Sequence, residues 1–434
     1  MNKIFLFLIS LFFISGCSFN KNSKFWTASQ NIPKEKKQNY EEIFVKDKAL
    51  QKELNTNITI NLGNIPFNDK RVRDYFNNEG RLNYNGVLKK SSRYKFSKIK
   101  NFNKFEPEIL FNKNDIIFFD NKGSILKFDK NSKLIWKKNY YTKSEKKLKP
   151  ILQFANDDNT VIVTDNIAKY YALNADSGEL LWSRNNLAPF NSQIKIYQKK
   201  FFIVDYSNTL RCFSMKDGEE LWSIETENSL IRSQKKLSIV IVNNMLYFKN
   251  SIGDINAVDI DEGELLWQLP TQNSLLNENT FSLETSDLIT DGKTLFFSNN
   301  RNKFFSIDLS TGSFNWENKV NSNLRPTLIG NYIFTVSLEG YLIIIEKNSG
   351  NIIKVNNLFN GFKKKKREKI KPVGFVVGSK NIYLTTDHGR LIVVDVKTGK
   401  LVSILKIDND KISRPFVLEK SLYVVKDNAI IKLD

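Results

Sequence analysis

The stretch Leu246-Tyr-Phe-Lys-Asn-Ser-Ile-Gly253-Asp-Ile-Asn-Ala-Val-Asp259-Ile-Asp-Glu-Gly263-Glu-Leu-Leu-Trp267 holds the pattern from which the rest of the chain is built. An apolar run meets a Gly turn. A second run ends at an Asp, and a second Gly turn opens a run that carries Trp. This is how antiparallel strands joined by tight turns are written. The Trp recurs at Trp136, Trp182, Trp222, Trp267 and Trp316. Two more copies keep the turn without the Trp, at Ser349-Gly350-Asn-Ile-Ile353 and Thr398-Gly399-Lys-Leu-Val402. The strand before that turn occurs eight times, from Ile125–Asp129 to Ile430–Asp434.

A repeat of about 40–50 residues holding several short strands is the signature of a propeller blade. The expected fold is therefore all-β: an eight-bladed β-propeller of four-stranded antiparallel blades. The eighth copy has no outer strand after it. Asn85–Phe96 opens with the same turn-Gly-x-Leu pattern as the outer strands and is predicted to pair with Ile430–Asp434. The ring would then close by strand exchange between the N- and C-terminal segments, leaving no bare edge. An open solenoid or two smaller domains is the alternative. The repeated Trp is read as a packing residue whose indole N–H reaches a backbone acceptor; stacking on a sugar or cofactor is the competing reading.

The 434 residues carry 66 Lys and Arg against 46 Asp and Glu, a formal charge of +20. Such a field draws anionic partners. Residues 1–16 decide which ones. Lys3, the apolar run Ile4–Ile14 and the small Ser15-Gly16 read as an export signal, too short for a comfortable membrane span. Export removes nucleic acid as a partner and leaves an anionic membrane surface or an acidic protein. The expected organisation is a signal over 1–16, a tether and irregular segment over 17–81, and the propeller over 82–434. Within the second part, Tyr40–Leu54 has a weak helical pattern and Ile58–Leu62 reads as a short strand.

Cys17, Cys212 and His388 form no cluster, so no metal site and no cofactor is predicted. Cys212 lies in a repeated strand as a small buried hydrophobe. His388 sits in a turn equivalent to Asp120-Asn-Lys-Gly123. The recurring Asp129, Asp259, Asp308, Asp395 and Asp434 are expected to cap turns. Pro326, Pro372 and Pro415 fall at equivalent points and mark the starts of inner strands. The run Gly361-Phe-Lys-Lys-Lys-Lys-Arg-Glu-Lys369 is the most basic segment. It is either a solvated loop or a contact for membrane phosphates or an acidic partner.

Units such as Lys169–Trp182, Asp254–Trp267 and Lys303–Trp316 resemble the pyrroloquinoline-quinone-type propeller repeat. Ile14-Ser15-Gly16-Cys17 resembles the bacterial lipobox. That likeness implies cleavage before Cys17 and lipid attached to it, and Ser18 then resembles an outer-membrane address. Together these features make residues 82–434 resemble the BamB family, lipoprotein subunits of the outer-membrane β-barrel assembly machinery. The resemblance implies a non-catalytic scaffold, lipid-anchored at the periplasmic face of the outer membrane. It also implies binding to the periplasmic domains of the central assembly protein BamA, with unfolded outer-membrane proteins as further partners. The family's contact region maps onto Ser229-Leu230-Ile231-Arg232, with Ile231 apolar and Arg232 charge-paired. Ser229 stands where the family pattern has Leu. An acidic pair in the family's next connection has Glu284 as its nearest equivalent here, with Asp287 close by. Two other readings stand beside this one. The first is a periplasmic propeller that binds polysaccharide or some other protein. The second is a quinone-dependent dehydrogenase, a class whose calcium ligands and adjacent Cys-Cys pair have no match here.

Overall fold

Each repeat unit folds into a four-stranded antiparallel sheet, and eight such sheets form the blades of the propeller. The computed structural model describes residues 49–63, 78–227, 235–272 and 283–434. Blade four is representative. Its strands Ile239–Val242, Met245–Lys249, Ile255–Asp259 and Leu265–Leu269 pair in sequence order from the axis to the rim. The two middle strands of a blade are buried on both faces. Lys303–Asp308, for example, hides its four central residues between neighbouring blades. Strands covered on both sides read as unbroken apolar runs rich in Phe, Ile and Val, as these do. The outer strands face solvent, with Leu265 and Leu266 exposed and Trp267 half-buried.

The half-buried Trp seals the seam to the next blade. Its ring lies over the Gly of the next blade's outer turn. A Cβ built on Gly178, Gly218, Gly263, Gly312 or Gly350 would stand 2.5 to 2.8 Å from the preceding blade's Trp. These turns also hold φ near +70°, a region glycine enters at no steric cost. The indole N–H then donates to the carbonyl at the end of the neighbouring strand: Trp182 to Met215 at 3.0 Å, Trp222 to Ile260 at 3.1 Å, Trp267 to Leu309 at 3.2 Å and Trp316 to Lys347 at 2.9 Å. Blade one differs. Ala175 occupies the equivalent position, but its carbonyl accepts from the buried Lys127 ammonium at 3.0 Å, and the Trp136 N–H has no hydrogen-bond partner among the described residues.

Blade eight is built from both ends of the chain, as expected. Lys90–Lys95 pairs antiparallel with Ala429–Leu433, with Arg93 opposite Ile431 and Tyr94 opposite Ile430. Lys89 and Asp434 extend the pairing through reciprocal backbone bonds of 2.7 and 2.9 Å. Asp129, Asp259, Asp308 and Asp395 do cap their turns through side-chain bonds to backbone N–H groups. Asp434 departs from this pattern: its carboxylate accepts from the Ser421 hydroxyl at 2.5 Å. Pro326 and Pro415 each immediately precede an inner strand, and Pro372 begins one.

The segments before the first blade take part in the ring. Residues 49–54 are not helical where they are described. Leu54 forms an antiparallel bridge with Val355 on the outer edge of blade six. Ile58–Leu62 is extended but joins no ladder; the Ile60 N–H donates to the Lys397 carbonyl at 3.0 Å, and Ile60 and Leu62 are buried between blades six and seven. Lys354 occupies the Trp position of blade six. Its buried ammonium donates to the carbonyls of Thr56, at 3.0 Å, and Ile58. Further on, Asn78–Tyr84 crosses the axial ends of inner strands. It forms backbone bonds with Thr290, Leu328, Val377 and Ser379 in turn.

Two outcomes test this packing. Trp182→Phe should destabilise the ring by about 1 kcal/mol more than Trp136→Phe, because only the first deletes a hydrogen bond; urea unfolding of the two variants measures the difference. Lys354→Ala should release Gln51–Leu62 from the rim. Charge-assisted bonds of this type suggest about a tenfold faster proteolytic cleavage within that segment, with the blades left intact. Mass spectrometry of a limited digest reads it.

Candidate functional site

Each blade's outer strand is connected to the next blade's inner strand across one face of the ring, the face opposite the Trp–Gly turns. Those connections surround a mouth of about 620 Å³ lined by Lys104, Glu106, Lys235, Lys236, Glu284 and Lys411. Deeper in, a cavity of about 180 Å³ runs between the inner strands, with Phe111, Phe154, Phe375, Arg325 and Arg414 in its wall. Gly80, from the segment that crosses the axial ends of inner strands, also lines it.

A charged network runs around the mouth. Lys236 pairs with Glu108 at 3.3 Å and Lys235 with Glu106 at 3.9 Å. The Lys235 ammonium also donates to the Asn323 carbonyl, and the Asn323 side-chain amide donates to the Glu284 carboxylate. The Glu284 backbone exchanges two 3.0 Å bonds with Asn300, which fixes the connection between blades four and five. Asp287 is turned inward, with Arg414 3.9 Å away. Lys411 is held below the usual lysine range by burial.

Lys249 lies directly behind this network and is wholly buried. It ends the second strand of blade four and donates to the Thr285 hydroxyl at 2.5 Å and to the Ser286 carbonyl. Burial pushes its pKa down to about 7; Asp287 opposes that shift and Lys235 adds to it. Removing an ammonium from water without a full counter-charge has this effect.

Of the sequence-predicted residues, Glu284 lies on the mouth, tied to Asn323. Leu230, Ile231 and Arg232 lie outside the described residues, as does Cys17. Both flanks of that connection are fixed on the mouth face. On one side Thr226 and Glu227 bond Asn208, and on the other Lys235 and Lys236 join the charged network. Cys212 is buried in blade three, its thiol pushed up to about 12 by burial. His388 is an exposed turn residue against Asp387 at 2.7 Å. Among the described residues no group of three or more His, Cys, Asp or Glu is placed to hold a metal ion.

Sequence reading missed Lys235, Lys236 and Asn323. It also missed a serine that recurs at the entry to the inner strands. Ser192, Ser286 and Ser413 each accept from a second-strand N–H at 2.7 to 2.9 Å. Its position relative to the following apolar run repeats, and that periodicity was the available signal.

The fold and this face define a propeller of quinoprotein-type repeats with a polar, mixed-charge mouth suited to non-covalent recognition. Residues 121–356, more than half of the chain, match the family model described as outer membrane protein assembly factor BamB. The chain belongs to that family. A curated relative, outer membrane protein assembly factor BamB of Shewanella oneidensis, is 22% identical over 225 residues. The alignment takes in 42% of this chain and 57% of the relative, so it spans little more than half the relative's length. Among solved structures, BamB from Moraxella catarrhalis superposes with a TM-score of 0.66 at 14% identity, over 80% of this chain and 100% of that one. A europium-containing methanol dehydrogenase gives 0.64 at 11% identity, over 83% and 91%. The computationally designed Ika8 protein gives 0.58 at 12%, over 78% and 99%. At such identities the three structures share the fold alone.

Lys249 yields a pH-dependent outcome. Above about pH 7 the folded chain releases its proton while the unfolded chain keeps it up to the ordinary lysine value, so the unfolded state binds more protons and stability rises with pH. The unfolding free energy of the wild type minus that of Lys249→Met should be level below about pH 7 and rise by about 1.4 kcal/mol per unit above it. Urea titrations between about pH 6 and 9 measure it; a level difference throughout would refute the assignment.

Proposed function

We propose that this chain is a non-catalytic scaffold lipoprotein of the outer-membrane β-barrel assembly machinery. In this reading it is anchored through Cys17 at the periplasmic face of the outer membrane and binds the periplasmic domains of BamA. Unfolded outer-membrane proteins are further partners of the same assembly. Family membership supports the reading. The observation that carries it is local: one hydrogen-bonded chain, Lys235–Asn323–Glu284, joins the connection after blade three to the connection after blade four. The candidate contact residues Leu230, Ile231, Arg232 and Glu284 fall in the sequence of those two connections, whose described parts the network ties together. Interfaces of this kind rest on a few anchored side chains, one apolar and one Arg among them, inside a polar rim.

The test is co-purification from detergent-solubilised native membranes, with a paired Ile231→Asp/Arg232→Glu variant and a separate Glu284→Lys variant. Wild type should recover BamA, and the paired variant should lose about tenfold or more of that recovery while its thermal unfolding stays unchanged. Full recovery by both variants would remove this face as the interface. Failure of the wild type to recover BamA, even after mild cross-linking, would sink the scaffold reading.

A further inference from the structure

The connection from blade six to blade seven is the most basic surface of the ring, and the scaffold function does not use it. Its two ends are anchored by Phe359 and Ile370, both buried. Between them a short helix, Lys364–Arg367, turns the chain outward. Lys363, Lys364, Lys365, Lys366 and Lys369 are all exposed, and Glu368 is the one opposing charge in the run. None of these five lysines has an ion-pair or side-chain hydrogen-bond partner among the described residues. Arg367 differs: half-buried, it donates to the Asn360 side-chain oxygen at 3.0 Å.

That bond belongs to a strut. The Asn360 amide donates to the Glu53 carboxylate at 3.3 Å, and the same carboxylate accepts from the Asn357 backbone N–H at 3.0 Å. The Tyr341 hydroxyl holds the Gln51 carbonyl at 3.0 Å. The basic run is therefore built onto the place where the segment leading back to Cys17 docks on the ring. A chain of the length between Cys17 and Gln51, fully extended, reaches on the order of 100 Å. A lipid on Cys17 would confine the ring to the neighbourhood of a membrane without fixing which side faces it. Five unpaired ammonium groups beside the docking point would supply that orientation on an anionic surface.

We infer that Lys363–Lys369 is a contact for anionic lipid headgroups, a second attachment that turns the rim of blades six and seven toward the membrane. The orienting role rests on the proposed lipidation of Cys17; the lipid contact itself does not. Two features favour a lipid surface over an acidic protein. The run itself exposes no large apolar side chain that could serve as an interface anchor. Its lysines are also point charges on flexible stems, suited to diffuse phosphate attraction more than to bidentate carboxylate pairing.

The experiment uses the unacylated chain from residue 17 onward with Cys17→Ala, and co-sedimentation with vesicles of phosphatidylethanolamine and phosphatidylglycerol or of phosphatidylcholine alone. One variant carries Gln at Lys363, Lys364, Lys365, Lys366 and Lys369. A control carries Gln at five exposed lysines elsewhere, Lys130, Lys143, Lys147, Lys216 and Lys420. Wild type should bind the anionic vesicles, salt-sensitively, and not the neutral ones. The loop variant should lose about tenfold or more in apparent affinity and the control no more than about twofold. Equal losses in both variants would mean that net charge alone drives binding and would overturn the proposal. So would absence of binding to anionic vesicles, or loop-dependent binding to polyglutamate in place of vesicles. Mass spectrometry of the wild-type protein from native membranes reports separately on acylation of Cys17, so failure of the anchor and failure of the lipid contact are read independently.

Discussion

The seams between blades decide whether this ring exists. A single four-stranded blade has two apolar faces and cannot hide either one alone. In the first five blades the same device closes the seam: a Trp ring lies on the next blade's Gly, where no side chain could stand, and in four of the five its N–H ties down a carbonyl of that blade. The three remaining seams lack a Trp, and each is filled by residues that precede blade one. Ile60 and Leu62 sit between blades six and seven. Leu82, Tyr84 and Leu88 join the cluster between blades seven and eight, with the rings of Tyr84 and Tyr383 5.0 Å apart. Tyr94, Ile99 and Phe102 join the cluster that includes blades eight and one. The N-terminal stretch thus substitutes for the missing indoles one seam after another.

This arrangement shapes the functional face. Because the inner strands are locked by their neighbours, the connections at the mouth can carry charge without loosening the ring. Lys235, Lys236, Glu106, Glu108, Glu284 and Asn323 come from four connections and meet in one network. Lys249, buried behind it, donates to neutral oxygens of the blade-four-to-five connection, with Asp287 of the same connection favouring its charge. Recognition at such a mouth would depend on polar geometry set by the ring, which fits the proposed scaffold role.

Much of the architecture was legible in the sequence because the repeat is dense in signals of different kinds. The Gly turns, the Asp caps and the Trp agree on strand order, and the unpaired Ile430–Asp434 predicted its partner in Asn85–Phe96. Local patterns of that sort are short-range and survive divergence. The seam-filling role of Ile60, Leu62 and Tyr84 was not legible. Those residues have no periodicity, and their value comes from partners some three hundred positions away. The blade-six copy reads only as one without its Trp; nothing near Lys354 in sequence shows that Thr56 and Ile58 supply its acceptors. The mouth network was hidden for the same reason: Lys235, Glu106 and Asn323 are brought together by ring closure and not by spacing.

The strand exchange in blade eight also has a consequence in time. Ser91 and Lys432 are neighbours across one ladder although 341 positions separate them. Joining ends that far apart costs about 5 kcal/mol of chain entropy before any contact is gained. During synthesis or export the early strand Lys90–Lys95 must wait with an unpaired edge, beside blade one, until Ala429–Leu433 arrives. The first seven blades can form in succession as the chain emerges, but the ring latches only once that strand is in place. A chain halted short of Ile430 would present an open arc with a sticky edge, an aggregation hazard that a single closing event removes.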